Sequence, residues 1–172
     1  MNTNTLHSPG DHSASTSVTL FSTHCADLPW VRWAMPGAQF KLLSADPDSG
    51  RFSLMIKVEK NSLAPLHRHV GAVEGYILEG GFHYHDDPAT RFVAGDYLLE
   101  KDGAIHRPVS PEGAVMFAVF HGSVEGIAET GEVIGTIDCQ WHMRAWQSAL
   151  DKIASQSGQK TLTSSQVESF QV

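Results

Sequence analysis

The chain has 172 residues, 41 % of them apolar and 18 % charged, and carries a net charge of −7 with its ten histidines neutral. That length allows one domain with a hydrophobic core of its own. The longest apolar runs fall far short of the roughly 20 residues a membrane span needs, and the acidic balance argues against nucleic acid as a partner, which calls for clustered Lys and Arg.

Residues 1–17 are rich in Ser, Thr, His and Asn and include the isolated His7 and His12. They are expected to form a disordered tail. No basic start leads into an apolar stretch, so the segment does not read as a secretory signal, and a cytoplasmic protein is expected. Cys25 and Cys139 lie far apart with no CxxC pair. They indicate neither a disulfide framework nor a Cys-type zinc site and read as ordinary buried thiols.

From Val18 to about Ile137 short runs rich in β-branched and aromatic residues alternate with turn formers. The runs are 39–43, 51–59, 74–78, 81–85, 96–100 and 114–121, and between them stand segments such as Asp46-Pro47-Asp48-Ser49-Gly50, Asp86-Asp87-Pro88 and Lys101-Asp102-Gly103. This punctuation predicts an all-β sandwich or jelly-roll barrel, the barrel having the advantage of hiding its strand edges. Trp141, Ala145, Trp146, Ala149, Leu150 and Ile153 then recur at spacings of three and four, which predicts a C-terminal helix packed on the barrel or on a partner subunit. The domain is expected to cover 18–155, with 156–172 a polar tail.

Of the histidines, His67 and His69 stand two apart on a predicted strand, so both imidazoles project from one face. A tight turn through Val70 and Gly71 is expected to return Glu74 toward the same point, and His106 opens a strand after the Lys101-Asp102-Gly103 turn. Three imidazoles and a carboxylate suit a first-row divalent metal and leave coordination positions open for water, O₂ or a chelating substrate. Glu74 has a second reading as a carboxylate that orients a ligating imidazole.

His67-x-His69-x4-Glu74 followed by Gly80 resembles the first cupin motif, and Gly103-x2-His106 resembles the core of the second. Lys101 stands where a proline is common and Ser110 where the motif closes on asparagine; both are expected at turns. The resemblance implies a cupin double-stranded β-helix with His67, His69, Glu74 and His106 around one metal ion. The stretches Asp27-Leu28-Pro29-Trp30-Val31, Lys41-Leu42-Leu43, Pro65 to His69, Val73 to Gly80 and Gly95-Asp96-Tyr97 are similar to the ChrR-like cupins, a group that includes acetylacetone-cleaving and 2,4'-dihydroxyacetophenone dioxygenases. It implies a non-haem Fe(II) enzyme that uses O₂ to split a carbon–carbon bond beside a carbonyl in a small β-diketone or α-hydroxyketone. Zn, Ni, Mn and Cu suit the same ligands. The dihydroxyacetophenone enzymes tend to carry histidine where this chain has Glu74. The rival readings are a non-catalytic zinc-binding sensor of the ChrR type and an O₂-independent metal-dependent isomerase or lyase.

His83-Tyr84-His85, a second HxH, lacks a later histidine to complete it and is expected at a solvent-facing strand end. Glu100 either ends its strand in solvent or, turned inward with Asp96 and Leu98, serves as a pocket carboxylate able to accept a proton. Tyr76, sharing the parity of Glu74, and Phe117 are expected to face the pocket. Trp30 and Trp33 precede the barrel and are expected to cover its mouth, join a subunit interface or enter the core. A homodimer or homotetramer is expected.

Overall fold

The computed structural model describes residues 23–157; the expected tail at 1–17 lies outside the described residues, as does the segment after 157. Among the described residues thirteen strands and one helix follow in order: β1 (Val31–Arg32), β2 (Ala38–Asp46), β3 (Arg51–Val58), β4 (Ser62–Leu63), β5 (His67–Val70), β6 (Val73–Tyr84), β7 (Asp87–Val93), β8 (Tyr97–Glu100), β9 (Ile105–His106), β10 (Pro108–Ser110), β11 (Ala114–Phe120), β12 (Ser123–Ile127), β13 (Val133–Ile137) and α1 (Cys139–Ser157). The fold is the expected cupin one, of curled antiparallel sheets with a C-terminal helix.

A nine-stranded sheet runs β1-β2-β3-β11-β6-β10-β4, with β7 and β8 also paired to β6; the second sheet runs β13-β12-β5-β9. The long β6 organises the larger sheet. Val73–Tyr76 pair with β8 and Val73–Gly80 with β11, and the end from Gly81 to Tyr84 pairs with β7 and β10.

Alternation decides what each strand contributes inward. On β6, Val73, Gly75 and Ile77 are buried while Glu74 and Tyr76 are not; on β11, Ala114, Ala118 and Phe120 are buried while Phe117 is exposed. Phe40, Leu42, Phe52, Leu54 and Phe120 build the main core, with Phe52 stacked on Phe120 at 4.7 Å.

The helix starts where Asp138 caps it, its Oδ1 accepting the Trp141 N–H at 2.6 Å. Trp141, Ala145, Trp146, Ala149 and Leu150 of the predicted stripe pack against the core, whereas Ile153 is exposed. His142 joins them, fully buried. Its Nδ1–H donates to the Asp138 carbonyl at 2.7 Å, its Nε2 accepts from the Trp33 indole at 3.0 Å, and its ring stacks on Phe52 at 4.2 Å. Trp33 is therefore a core residue. Trp30 instead lies under the ammonium groups of Lys41 and Lys57, at 4.8 and 5.9 Å from its ring centre.

Candidate metal centre

His67 and His69 occupy alternate positions of the four-residue β5 and are both buried. His106 stands directly opposite His67 across the β5–β9 ladder. The Lys101-Asp102-Gly103 turn fixes this register. The Gly103 N–H donates to the His69 carbonyl at 2.9 Å, the His69 N–H to the Ala104 carbonyl at 3.0 Å, and Asp102 Oδ1 accepts the Gly71 N–H at 2.8 Å.

The three imidazoles meet at their Nε2 atoms. His106 Nε2 lies 3.0 Å from His67 Nε2 and 3.0 Å from His69 Nε2, and the rings stand edge to face. The Nδ1–H of His67 donates to the Pro65 carbonyl at 2.8 Å, which leaves its Nε2 as a bare lone pair aimed at the cluster. His69 Nδ1 is buried with no hydrogen-bond partner among the described residues.

The larger sheet supplies the carboxylate. Glu100 ends β8 beside Val73 of β6 and turns inward with Leu98. Its Oε2 lies 3.0 Å from His69 Nε2 and its Oε1 3.5 Å from His106 Nε2. The Tyr84 hydroxyl donates to Oε1 at 2.6 Å, and the Tyr84 ring stacks on His106 at 4.7 Å.

Electrostatics favour a cation here. Burial lowers the pKa of His67, and burial pushes His106 down to about 4 against the opposing pull of Glu100, so both keep their lone pairs free at neutral pH. Burial alone would raise the Glu100 pKa. The hydrogen bond with His69, the neighbouring imidazoles and the Tyr84 hydroxyl outweigh it, and the carboxyl titrates below its usual range. Imidazole nitrogens beside an ionised carboxylate suit a first-row divalent cation, and His67, His69 and His106 are placed to hold one ion.

Glu74 stands elsewhere. Its carboxylate lies on the outer face of β6, accepting from His121 Nε2–H and from the Tyr97 hydroxyl, each at 2.9 Å. These bonds hold its pKa below the usual range. The expected Glu74 ligand is thus corrected to an outward residue: the inward parity of β6 belongs to Val73, Gly75 and Ile77, and a shift of one residue reverses the face. Tyr76 and Phe117 are corrected for the same reason, since both are exposed on that outer face as cross-strand neighbours. His83 and His85 do not join the cluster. The central Tyr84, passed over in the sequence, does.

A cavity of about 100 Å³ opens against the centre, lined by His67, Glu100 and His106 at one end and otherwise almost wholly by apolar side chains, including Trp33, Ile56, Phe82, Leu98, Met116, Ala118 and Phe120. Met116 and Ala118 take the places expected of Phe117.

Residues 18–125 match the ChrR Cupin-like domain family. The chain belongs to that family. Among solved structures, this ChrR-like cupin is similar to an RmlC-like cupin protein of Ralstonia eutropha JMP134 (TM-score 0.73, 20 % identity, 86 % of this chain and 94 % of that one). It is also similar to a candidate acetylacetone dioxygenase of Methylibium petroleiphilum PM1 (TM-score 0.70, 20 % identity, 76 % and 96 %). An acetylacetone dioxygenase of Acinetobacter johnsonii superposes with a TM-score of 0.66 at 19 % identity, over 86 % of this chain and 98 % of that one. At these identities the likeness is one of fold. No curated protein matches the sequence. No helix among the described residues is long and apolar enough to cross a membrane.

Proposed function

We propose that this ChrR-like cupin is a metal-dependent dioxygenase, with Fe(II) as its working metal, that cleaves a carbon–carbon bond next to a carbonyl in a small β-diketone or α-hydroxyketone. The observation that carries the reading is the convergence of three buried Nε2 atoms and the Glu100 carboxylate at the end of an apolar cavity. Likeness of fold to an acetylacetone dioxygenase supports it.

His67, His69 and His106 hold the ion in this reading. Fe(II) bound there supplies a Lewis acid for a chelated dicarbonyl and a site for O₂. Glu100, ionised and lining the cavity, takes the proton from the carbon between the two carbonyls of a β-diketone or from the hydroxyl of an α-hydroxyketone, which is the step a general base within hydrogen-bond reach accelerates. Tyr84 keeps that carboxylate aimed. The apolar wall excludes water, so charge that develops on the substrate is met by the site's own groups rather than by solvent.

The test is O₂ consumption by Fe(II)-loaded protein with a panel of β-diketones and α-hydroxyketones. Uptake that disappears in His67→Ala and Glu100→Gln variants supports the assignment. Bound metal without uptake across the panel contradicts it and points to the zinc-type sensor or an O₂-independent enzyme.

A further inference from the structure

The cavity is polar at one end only. Besides His67, Glu100 and His106, the polar side chains of its wall among the described residues are Ser62, Ser110 and the Trp33 indole, and none offers a free donor. Ser110 Oγ donates to the Gly81 carbonyl at 2.7 Å, Ser62 Oγ to the Glu59 carbonyl at 2.5 Å and Trp33 Nε1 to His142 Nε2 at 3.0 Å. No Lys, Arg, Asn, Gln or Thr side chain of these residues lines it.

Strand register gives the cavity a direction. At the metal end Phe120 of β11 pairs with Val73, which pairs with Glu100; at the other end Ala114 pairs with Val58, which pairs with Ala38. All of them line the cavity. The six steps from Phe120 to Ala114 span about 20 Å of strand. Between the ends, Ala118 and Gly75 pair across the ladder and both line the cavity; the Leu98 side chain lies over Gly75, so the small side chain of Ala118 is what leaves β11 open there.

We infer that the site takes a neutral head-and-tail molecule, with all its polar atoms at the His67–Glu100–His106 end and an unbranched apolar tail lying along β11 past Ala118 toward Ala38, Val58 and Ala114. A charged group in the tail would be buried against a wall with no ionised partner, and a hydroxyl there would find acceptors only in Ser62 and Ser110 Oγ and no free donor, which excludes phosphate esters and amino acids and disfavours sugars with their many hydroxyls. This refines the substrate class within the dioxygenase reading and rests on its placement of the polar head.

Calorimetric titration of the Zn(II)-loaded full chain with pentane-2,4-dione, hexane-2,4-dione and heptane-2,4-dione tests it without O₂ chemistry, and the matching 2-alkanones titrated into metal-free protein test the tail without the metal. Kd is expected to fall about fourfold for each added methylene in both series and to rise at least about tenfold when the tail ends in a hydroxyl. An Ala118→Leu variant, checked for retained zinc by elemental analysis, is expected to abolish the dependence on tail length. A flat series, or a hydroxyl-ended diketone that binds as tightly as its parent, overturns the inference. A steep series with no O₂ uptake by the Fe(II) form sinks the dioxygenase reading and leaves this inference standing.

Discussion

Tyr84 donates its phenol hydrogen to Glu100 Oε1 at 2.6 Å while its ring lies on the His106 imidazole at 4.7 Å, so one side chain braces both the carboxylate and a histidine of the cluster. Burial first, and the Glu100 charge next, raise the Tyr84 pKa, so the phenol remains a donor throughout the working pH range. A hydrogen bond to a charged group contributes about 1.5–3 kcal/mol. Tyr84→Phe is therefore expected to lower kcat by about tenfold or more with bound metal unchanged. Unaltered turnover in the metal-replete variant would show that Glu100 needs no such brace.

The two acidic residues of the region should behave oppositely. Glu100→Gln is expected to weaken metal binding by about tenfold or more, because it removes an anionic charge that lies 3.0 Å from His69 Nε2, beside the bound cation. Glu74→Gln, altering only the outer-face contacts with His121 and Tyr97, is expected to leave metal content intact and stability within about 0.5 kcal/mol. Metal lost on changing Glu74 but kept on changing Glu100 would reverse the assignment.

His142 makes stability pH-dependent. Burial depresses its folded-state pKa from 6.5 to about 4. Above pH 6.5 both folded and unfolded chains hold it neutral, and its contribution is complete. As pH falls below 6.5 the unfolded chain binds the proton first, so stability declines until the folded pKa is reached near 4, by a total on the order of 3 kcal/mol. The difference between urea-unfolding curves of wild type and His142→Phe, followed from pH 7 to 4, isolates this contribution from those of His67 and His106. A difference that does not change with pH would contradict it.

Gly80 allows β6 to change partners. It has φ +65, and a Cβ there would stand 2.0 Å from the Gly113 carbonyl oxygen. Beside it the β6–β11 ladder shifts register between Val115 and Met116, which leaves Leu78 unpaired in that ladder. Gly80→Ala is expected to cost about 1 kcal/mol or more, measured as a lowered urea midpoint with an unchanged slope. A neutral effect would mean that the turn relaxes freely.

The strand-and-turn rhythm, the helix stripe and the cluster of three histidines were legible in the sequence because each is local: alternation on β5 fixes His67 and His69, and a Gly-containing turn fixes His106. The carboxylate was not, because spacing from His69 to Glu74 says nothing about which face of β6 turns inward. That is decided by Val73, Gly75 and Ile77 packing under Leu98 and Phe120, contacts made across the sheet. The inward pairing of Leu98 with Glu100 on β8 was the available signal. Tyr84 was hidden inside a His-Tyr-His triplet whose histidines drew attention, although Phe82 and Tyr84 share the parity of a buried face. His142 shares the stripe of Ala145, Trp146 and Ala149 and bonds locally to the Asp138 carbonyl, but its long-range partner Trp33 reaches it only after the helix docks, so its burial was not legible.

Elemental analysis of the purified protein, alongside His67→Ala, His106→Ala and Glu74→Gln variants, tests the metal centre most directly. About one equivalent of a first-row divalent metal in wild type and Glu74→Gln, with loss in both histidine variants and an unchanged fold by circular dichroism, is the result expected of an ion held by His67, His69 and His106. A wild-type protein that binds no metal after incubation with Fe(II), Zn(II) or Ni(II), or histidine variants that keep it, would contradict the centre itself.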